Sequence, residues 1–195
     1  MTTKAQLKDV FSGPSTLLYQ SALLSGTTLK LVPDYDVPVK VDSIEFEQGA
    51  PSLEHYKVLG IAGDWVTSSE AGDITVKWRV PTKHTDILKL AFGEDAVKAM
   101  TVTYNGDTYA GNGVILKNHK ITGTWAVLNE TGDQLLILNN TILYASMVLD
   151  SDTKGVVAVD FSGTIQSDGN NPDVLFLTKK PKEAADSGSG TGGKG

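Results

Sequence analysis

The clearest pattern in this chain is a strict alternation of apolar and polar residues between Gly72 and Val80. Ile74, Val76, Trp78 and Val80 alternate with Thr75, Lys77 and Arg79. A period of two places all the apolar side chains on one face of a β-strand and all the charged ones on the other. The segment therefore predicts a strand that covers a core on one side and presents a polar surface on the other.

Similar patterns recur through most of the chain, with turn residues between them. Asn105-Gly106 is a strong signal for a tight hairpin turn. Strand-like segments lie at about 27–32, 39–46, 102–104, 109–116, 121–127, 135–138, 142–149, 157–165 and 174–177. Strands at intervals of about ten residues are typical of a sandwich or barrel. The predicted fold class is mostly β, an antiparallel β-sandwich or barrel.

One flanking α-helix is predicted at about 83–92. Its apolar residues give a broad stripe at helical spacing: Ile87, Leu88, Leu90, Ala91 and Phe92. Thr85 is a suitable N-cap, and Gly93 is suitable for the position after the last helical residue. The chain then divides into an N-terminal arm (1–27), a β-sandwich or barrel domain (28–178) and a flexible C-terminal tail (179–195). The tail is expected to be flexible because residues 188–195 are mostly Gly and Ser.

A long connection at 48–71 interrupts the strands. It contains Gly60, Gly63 and several large apolar residues: Leu53, Tyr56, Val58, Leu59, Ile61 and Trp65. A connection of this length is usually functional unless it has structure of its own. Those six residues are therefore predicted to contact other subunits. The alternative is a hidden hairpin that folds back on the core.

Composition excludes several kinds of site. The 195 residues carry a formal net charge of −6 and contain no cysteine, so disulfides, thiolate nucleophiles and iron–sulfur clusters are excluded. The three histidines have no zinc-motif spacing, and no apolar run approaches the length needed to span a bilayer. The N-terminus lacks the apolar segment of a signal peptide, which favours synthesis in a cytoplasm. We expect no cofactor, no metal and no membrane partner.

Candidate chemistry is weak throughout the chain. Asp150–Gly155 begins like a calcium loop but lacks the acidic residue at its twelfth position, and Asp168–Asp173 is rich in oxygen ligands. A plain turn explains each of them. Asn129 and Asn139 begin glycosylation motifs that we interpret as chance. Ser68-Ser69-Glu70 and His84-Thr85-Asp86 have no spacing that links a nucleophile to a histidine. Glycosidases use pairs of acids, but proximity in sequence does not make a pair of Asp64, Glu70 and Asp73.

The order of elements resembles the tail tube (major tail) proteins of tailed bacteriophages. A strand ending at Ile44–Gln48 leads to the long connection, then to the strand 72–80, the helix and further antiparallel strands. The resemblance covers about residues 28–178. It implies a virion structural protein that forms stacked hexameric rings around a DNA conduit, with the early connection bridging rings. It also implies assembly in the host cytoplasm, contacts with itself and other tail proteins, and passage of genomic DNA without specific binding.

The acidic balance suits such a conduit, since a negatively charged lumen repels phosphate. Other assignments fit the same composition. A head decoration protein or a tail terminator belongs to the same structural class. A monomeric carbohydrate-binding module would use Trp65, whereas Trp78 and Trp125 lie in strand periodicity and are expected in the core. A hydrolase with an unrecognised site ranks last.

Overall fold

The computed structural model describes residues 11, 13–26, 29–40, 42–56, 59, 66–70, 72–149 and 155–180. Within these residues the strands are β1 (Pro14–Gln20), β2 (Tyr35–Val37), β3 (Glu45–Gln48), β4 (Ser52–Tyr56), β5 (Val66–Glu70), β6 (Ile74–Val80), β7 (Val97–Tyr104), β8 (Asp107–Val114), β9 (Ile121–Asn129), β10 (Gln134–Val148), β11 (Ala158–Ile165) and β12 (Val174–Thr178). The helix α1 spans Thr85–Phe92, and a 3₁₀ turn follows at Glu94–Ala96.

Eight strands form one antiparallel sheet in the order β2-β1-β9-β10-β11-β6-β3, with β12 paired to β10. The long strand β10 is the centre of this sheet. Its first half pairs with β9 and β12, and its second half pairs with β9 and β11. The register of the β9–β10 pair shifts between Leu138 and Thr141, where Asn140 has a φ of 50°. The Asn139-Asn140 pair therefore marks a bulge within one strand, where the sequence predicted a break between two.

The two ends of the sheet are brought together by the short connection between β2 and β3. β2 pairs with β1, whereas β3 pairs with β6 at the opposite end. Between them, the Lys40 N–H donates to the Arg79 carbonyl on β6 at 2.8 Å. The sheet consequently curls until its two ends are joined by one segment of chain.

This curling builds the core. Trp78 on β6 and Trp125 on β9 are not sheet neighbours, yet their ring centroids lie 4.5 Å apart. Tyr19 and Phe161 pack on Trp125 at centroid distances of 4.7 Å and 5.8 Å. Trp78 and Trp125 are 2% and 0% exposed, which confirms the prediction that both belong to the core. Among the described residues, neither indole N–H has a hydrogen-bond partner.

Helix α1 covers one side of the sandwich with its predicted stripe, since Ile87, Leu88, Ala91 and Phe92 are buried. The N-cap is His84, whose ring nitrogen accepts from the Asp86 N–H, so Thr85 is the first helical residue. Gly93 ends the helix with a φ of 94°, a left-handed value that favours glycine. The predicted antiparallel β-sandwich with one flanking helix is confirmed, although α1 begins two residues later than the expected range.

The N-terminal boundary was predicted wrongly. β1, within the expected arm 1–27, pairs with both β9 and β2 and contributes Leu17 and Tyr19 to the core. The strand expected at 27–32 is absent from its described part, where Leu29 and Leu31 pack instead on a small cluster with Leu24. Within the described part of the chain, the sheet therefore begins at Pro14. Residues 1–10 and 181–195 lie outside the described residues, and most of the expected tail lies among them.

Candidate assembly surfaces

The long connection contains a hairpin that continues the main sheet. β4 and β5 form a separate two-stranded ladder, and Ser52 pairs with Glu70. In the β3–β6 ladder Gln48 pairs with Ile74. Ser52 lies four residues after Gln48, and Glu70 lies four residues before Ile74, so the register is the same on both sides of the break. We call residues 45–56 with 66–70 and 72–77 the extended ribbon.

Two glycines allow the ribbon to pass this break. The Gly49 N–H donates to the Asp73 carbonyl at 2.9 Å, which maintains the ladder between the two sheets. A Cβ on Gly72 would lie 2.0 Å from the Gly49 carbonyl oxygen, so only glycine fits at position 72. At about 3.4 Å per residue, residues 49–56 carry the ribbon up to about 27 Å beyond β3.

The predicted contact residues occupy this ribbon in part. Leu53 lies in β4 with 58% of its surface exposed, Leu59 is fully exposed, and Tyr56 is the last residue of β4. Residues 51–55 are all exposed, so this stretch does not fold back on the core. Val58, Ile61 and Trp65 lie outside the described residues. The sequence located an exposed apolar segment here, but it did not predict the unbroken register.

A second hairpin, β7–β8, has the tight turn that Asn105-Gly106 predicted. Asn105 and Gly106 have φ values of 51° and 85°, both left-handed, as a two-residue hairpin turn of this kind requires. Val102 is paired with Tyr109, and Met100 and Tyr104 lie on the same face. All four are more than half exposed. The sequence predicted the hairpin but not this uncovered apolar face.

The polar face of β6 is confirmed, and most of its charges are paired. Arg79 makes two hydrogen bonds to the Asp160 carboxylate on β11, at 2.6 Å and 2.7 Å. The Lys77 Nζ lies 3.6 Å from the Glu45 Oε2 on β3, and both side chains are well exposed. Side chains of the same face on β11 are the small Ser162 and Thr164. The surface is therefore polar and close to neutral, with Glu47 adding negative charge at the β3 edge.

The oxygen-rich segment near residue 168 is a hydrogen-bonded turn. The Asp168 carboxylate accepts from the N–H groups of Asn170 and Asn171, both at 2.8 Å, and these bonds lower the pKa of Asp168. Within the part of the chain that the structure describes, no group of three or more His, Asp or Glu side chains is placed to hold a metal ion. The candidate calcium loop falls largely on residues 150–154, outside the described residues.

The remaining candidates are dispersed or buried. His55 lies in β4, His84 caps α1 and His119 lies beside Gly93, so the fold brings no two of them into a common site. Asn129 and Asn139 are 2% and 4% exposed. Asn129 accepts from the N–H groups of Asp133 and Gln134, and Asn139 bonds to both backbone groups of Leu24. These two asparagines hold turns together and are closed to glycosylation in the folded chain.

Burial and local bonding shift other pKa values without building a reactive site. Burial raises the pKa of Tyr19, whose hydroxyl donates to the Thr122 carbonyl at 2.9 Å. Hydrogen bonds from Ser21 lower the pKa of Asp34, and the bond from Lys117 lowers that of Asp95. Each of these groups stabilises a strand end or a turn.

Searches against family models, curated proteins and solved structures returned no match to this chain. None of the helices formed by the described residues is both long and apolar enough to cross a membrane. A function is therefore proposed from the geometry of the two hairpins and the polar sheet face, together with the resemblance in element order.

Proposed function

We propose that this protein is a virion structural protein, a tail tube subunit whose copies form stacked rings around a DNA conduit. The observation that carries the proposal is the extended ribbon, which leaves the sandwich in unbroken register and presents Leu53 to solvent, with the exposed Leu59 just beyond β4. Exposed ladders and apolar side chains of this kind are a liability in a monomer, and a neighbouring copy would cover them.

Two further features support a conduit. The face of β6 and β11 offers small hydroxyl side chains and paired charges, on which a DNA backbone would find few free cations. The chain as a whole carries a net charge of −6, which disfavours tight binding of phosphate and so supports a lumen in which DNA can slide. Other tail proteins would meet the ends of the tube, and assembly would take place in the host cytoplasm.

The carbohydrate-binding alternative has less support. Trp78 and Trp125 lie inside the core, where no sugar can stack on them. Trp65 lies outside the described residues and adds nothing to either assignment. A head decoration protein or a tail terminator would also self-associate, but neither function requires long tubes, so microscopy separates these possibilities from the proposal.

Electron microscopy of the purified chain tests the proposal directly. We expect rings or tubes with a central channel, and a deletion of residues 52–67 should leave a folded protein that no longer forms tubes. The matched control is removal of 188–195, which has no apolar content and should leave assembly unchanged.

A point variant makes the same test without shortening the chain. Leu53→Ser with Leu59→Ser should weaken tube formation, whereas Leu23→Ser, at a leucine that is 49% exposed outside the ribbon, should not. Tubes formed equally well by the deletion variant, or a compact monomer with saccharide affinity, would contradict the proposal.

A further inference from the structure

Hairpin β7–β8 has two faces of very different size. On one face, which we call the bulky face, Met100, Val102, Tyr104 and Tyr109 are 53%, 59%, 66% and 58% exposed. On the other, the small face, the side chains are Thr101, Thr103, Thr108, Ala110 and Asn112. Each strand pairs only with the other within the part of the chain that the structure describes. A two-stranded hairpin is marginally stable by itself, so this one needs a cover.

The small face forms one wall of an apolar groove of about 570 Å³. The groove is lined by residues of the hairpin, of α1 and of the chain around β10 and β11: Ala110, Asn112, Val114, Leu116, Lys83, Leu88, Met147 and Val157. Asn112 is held in place because its side-chain amide donates to the Thr85 hydroxyl at 2.7 Å. The groove is therefore preformed by anchored elements.

We propose that the bulky face of one copy seats in this groove of a second copy, a head-to-tail contact between identical chains. The two surfaces fit as a projection and a recess, since large side chains project from one and the hairpin wall of the other carries the smaller Ala110 and Asn112. They also differ in charge, because Asp107 lies beside the tip of the bulky face and Lys83 lines the groove. Lys98 lies at the opposite, inner end of that face.

The exposed area of the bulky face is about half of what one partner buries in a standard interface. Four side chains of this size, each more than half exposed, present on the order of 400–500 Å² of mostly apolar surface. A standard interface buries about 800 Å² on each partner. Each copy contributes a bulky face to one neighbour and a groove to the other, so every chain in a closed ring covers both surfaces. A pairing of two bulky faces would leave both grooves open.

The biological setting of this contact rests on the proposed function, because a head-to-tail contact is the kind that closes a ring. The contact itself is a property of the hairpin and the groove. Rings or short oligomers without tubes would contradict the tail tube proposal and still support the contact. Tubes that form equally well without the bulky face would support the tail tube proposal and contradict the contact.

Sedimentation velocity of the full chain tests the contact with three variants. Val102→Ser with Tyr109→Ser removes the bulky face, and Ala110→Phe fills the groove while leaving the bulky face intact. Val32→Ser with Leu23→Ser is the matched control, at residues 56% and 49% exposed outside the hairpin. We expect the first two to weaken association at least about thirtyfold, as the loss of an interface hot spot does, and the control to match wild type.

Mixing the two defective variants distinguishes a head-to-tail contact from a symmetric one. With Leu53→Ser and Leu59→Ser added to both chains to remove the ribbon contact, the Ala110→Phe chain keeps its bulky face and the Val102→Ser, Tyr109→Ser chain keeps its groove, so together they should form pairs and nothing larger. The near-ultraviolet circular dichroism of the buried tryptophans should be unchanged in every variant, which shows that the sandwich is folded. Unweakened association of the bulky-face variant, self-pairing of Ala110→Phe, or a wild-type chain that stays monomeric would overturn the proposal.

Discussion

Strands β6 and β7 follow the same alternation and end in opposite environments. In β6, Val76, Trp78 and Val80 are 0–2% exposed. In β7, Met100, Val102 and Tyr104 alternate with small residues just as regularly but are all more than half exposed. The difference arises because the curled sheet carries β9 over β6, whereas no described element crosses the bulky face of β7.

Alternation therefore identifies an apolar face, and the rest of the fold decides whether the same chain covers it. When it does, the face contributes to folding stability, at about 25 cal/mol per Å² of apolar surface removed from water. When it does not, the same surface is available for association. The body of the sandwich and the two hairpins should consequently respond in opposite ways to the same substitutions.

Truncation at the centre of the body should have the largest effect. We expect Trp125→Ala to lower the free energy of unfolding by about 3–5 kcal/mol, because it removes a wholly buried ring that contacts Tyr19, Trp78 and Phe161. Chemical denaturation measures this loss. Trp125→Phe should cost much less, since it keeps most of the packing and removes an indole N–H without a partner. A near-zero loss for the alanine variant would show that this core is wrongly assigned.

Two glycines provide a matched comparison between body and hairpin. A Cβ on Gly163 would lie 1.9 Å from the Ile142 carbonyl oxygen, whereas a Cβ on Gly111 in β8 would meet nothing within 4 Å. Gly163→Ala should therefore destabilise the protein by up to about 3 kcal/mol as the backbone is pushed apart. Gly111→Ala should change stability by less than about 0.5 kcal/mol. Equal effects in thermal denaturation would remove the distinction between the two regions.

A pair of valines sharpens the comparison further. Val80→Ala creates a cavity in the body and should cost roughly 2 kcal/mol of folding stability with no direct effect on association. Val102→Ala should leave folding stability within about 0.5 kcal/mol and weaken association. Denaturation and sedimentation on the same samples measure both quantities. The contrast fails if Val102→Ala destabilises the fold as much as Val80→Ala.

Acid should lower the free energy of unfolding slightly, through carboxylates in the turns of the body. Hydrogen bonds or a nearby cation lower the pKa of Asp34, Asp95, Asp133 and Asp168 below the ordinary 3.8. The unfolded chain therefore takes up protons at a higher pH than the folded chain does. The stability that these carboxylates contribute is present above about pH 4 and is lost as the pH falls through their lowered values.

Unfolding measured across this range checks the acid prediction. Asp34→Asn should show a shallower decline than wild type, because that variant has no carboxylate to titrate at this position. A steeper decline for Asp34→Asn, or stability that rises below pH 4, would contradict the assignment of these shifts.

Particular residues show where prediction from sequence succeeded and where it failed. Asn105-Gly106 predicted its hairpin because a two-residue turn with two left-handed residues depends on local sterics alone. The stripe Ile87–Phe92 predicted its helix for the same reason. Asn139-Asn140 was interpreted as a break, because a bulge depends on the partner strand β9, which is distant in sequence. Pro14–Gln20 was assigned to an arm, because its pairing with β9 spans more than a hundred residues.

The candidate site divides in the same way. The exposed apolar content of the connection, including Leu53 and Leu59, was readable from the printed residues. The continuous register of the ribbon and the groove beside hairpin β7–β8 were not, because each depends on which strands are neighbours in space.

The sequence by itself determined the strand faces, the turns, the helix and the absence of thiol chemistry, since each depends on residue type and short-range spacing. Only the tertiary structure decided which apolar faces are buried. Burial is set by the curling of the sheet and by contacts between residues far apart in the chain, and no local pattern encodes them.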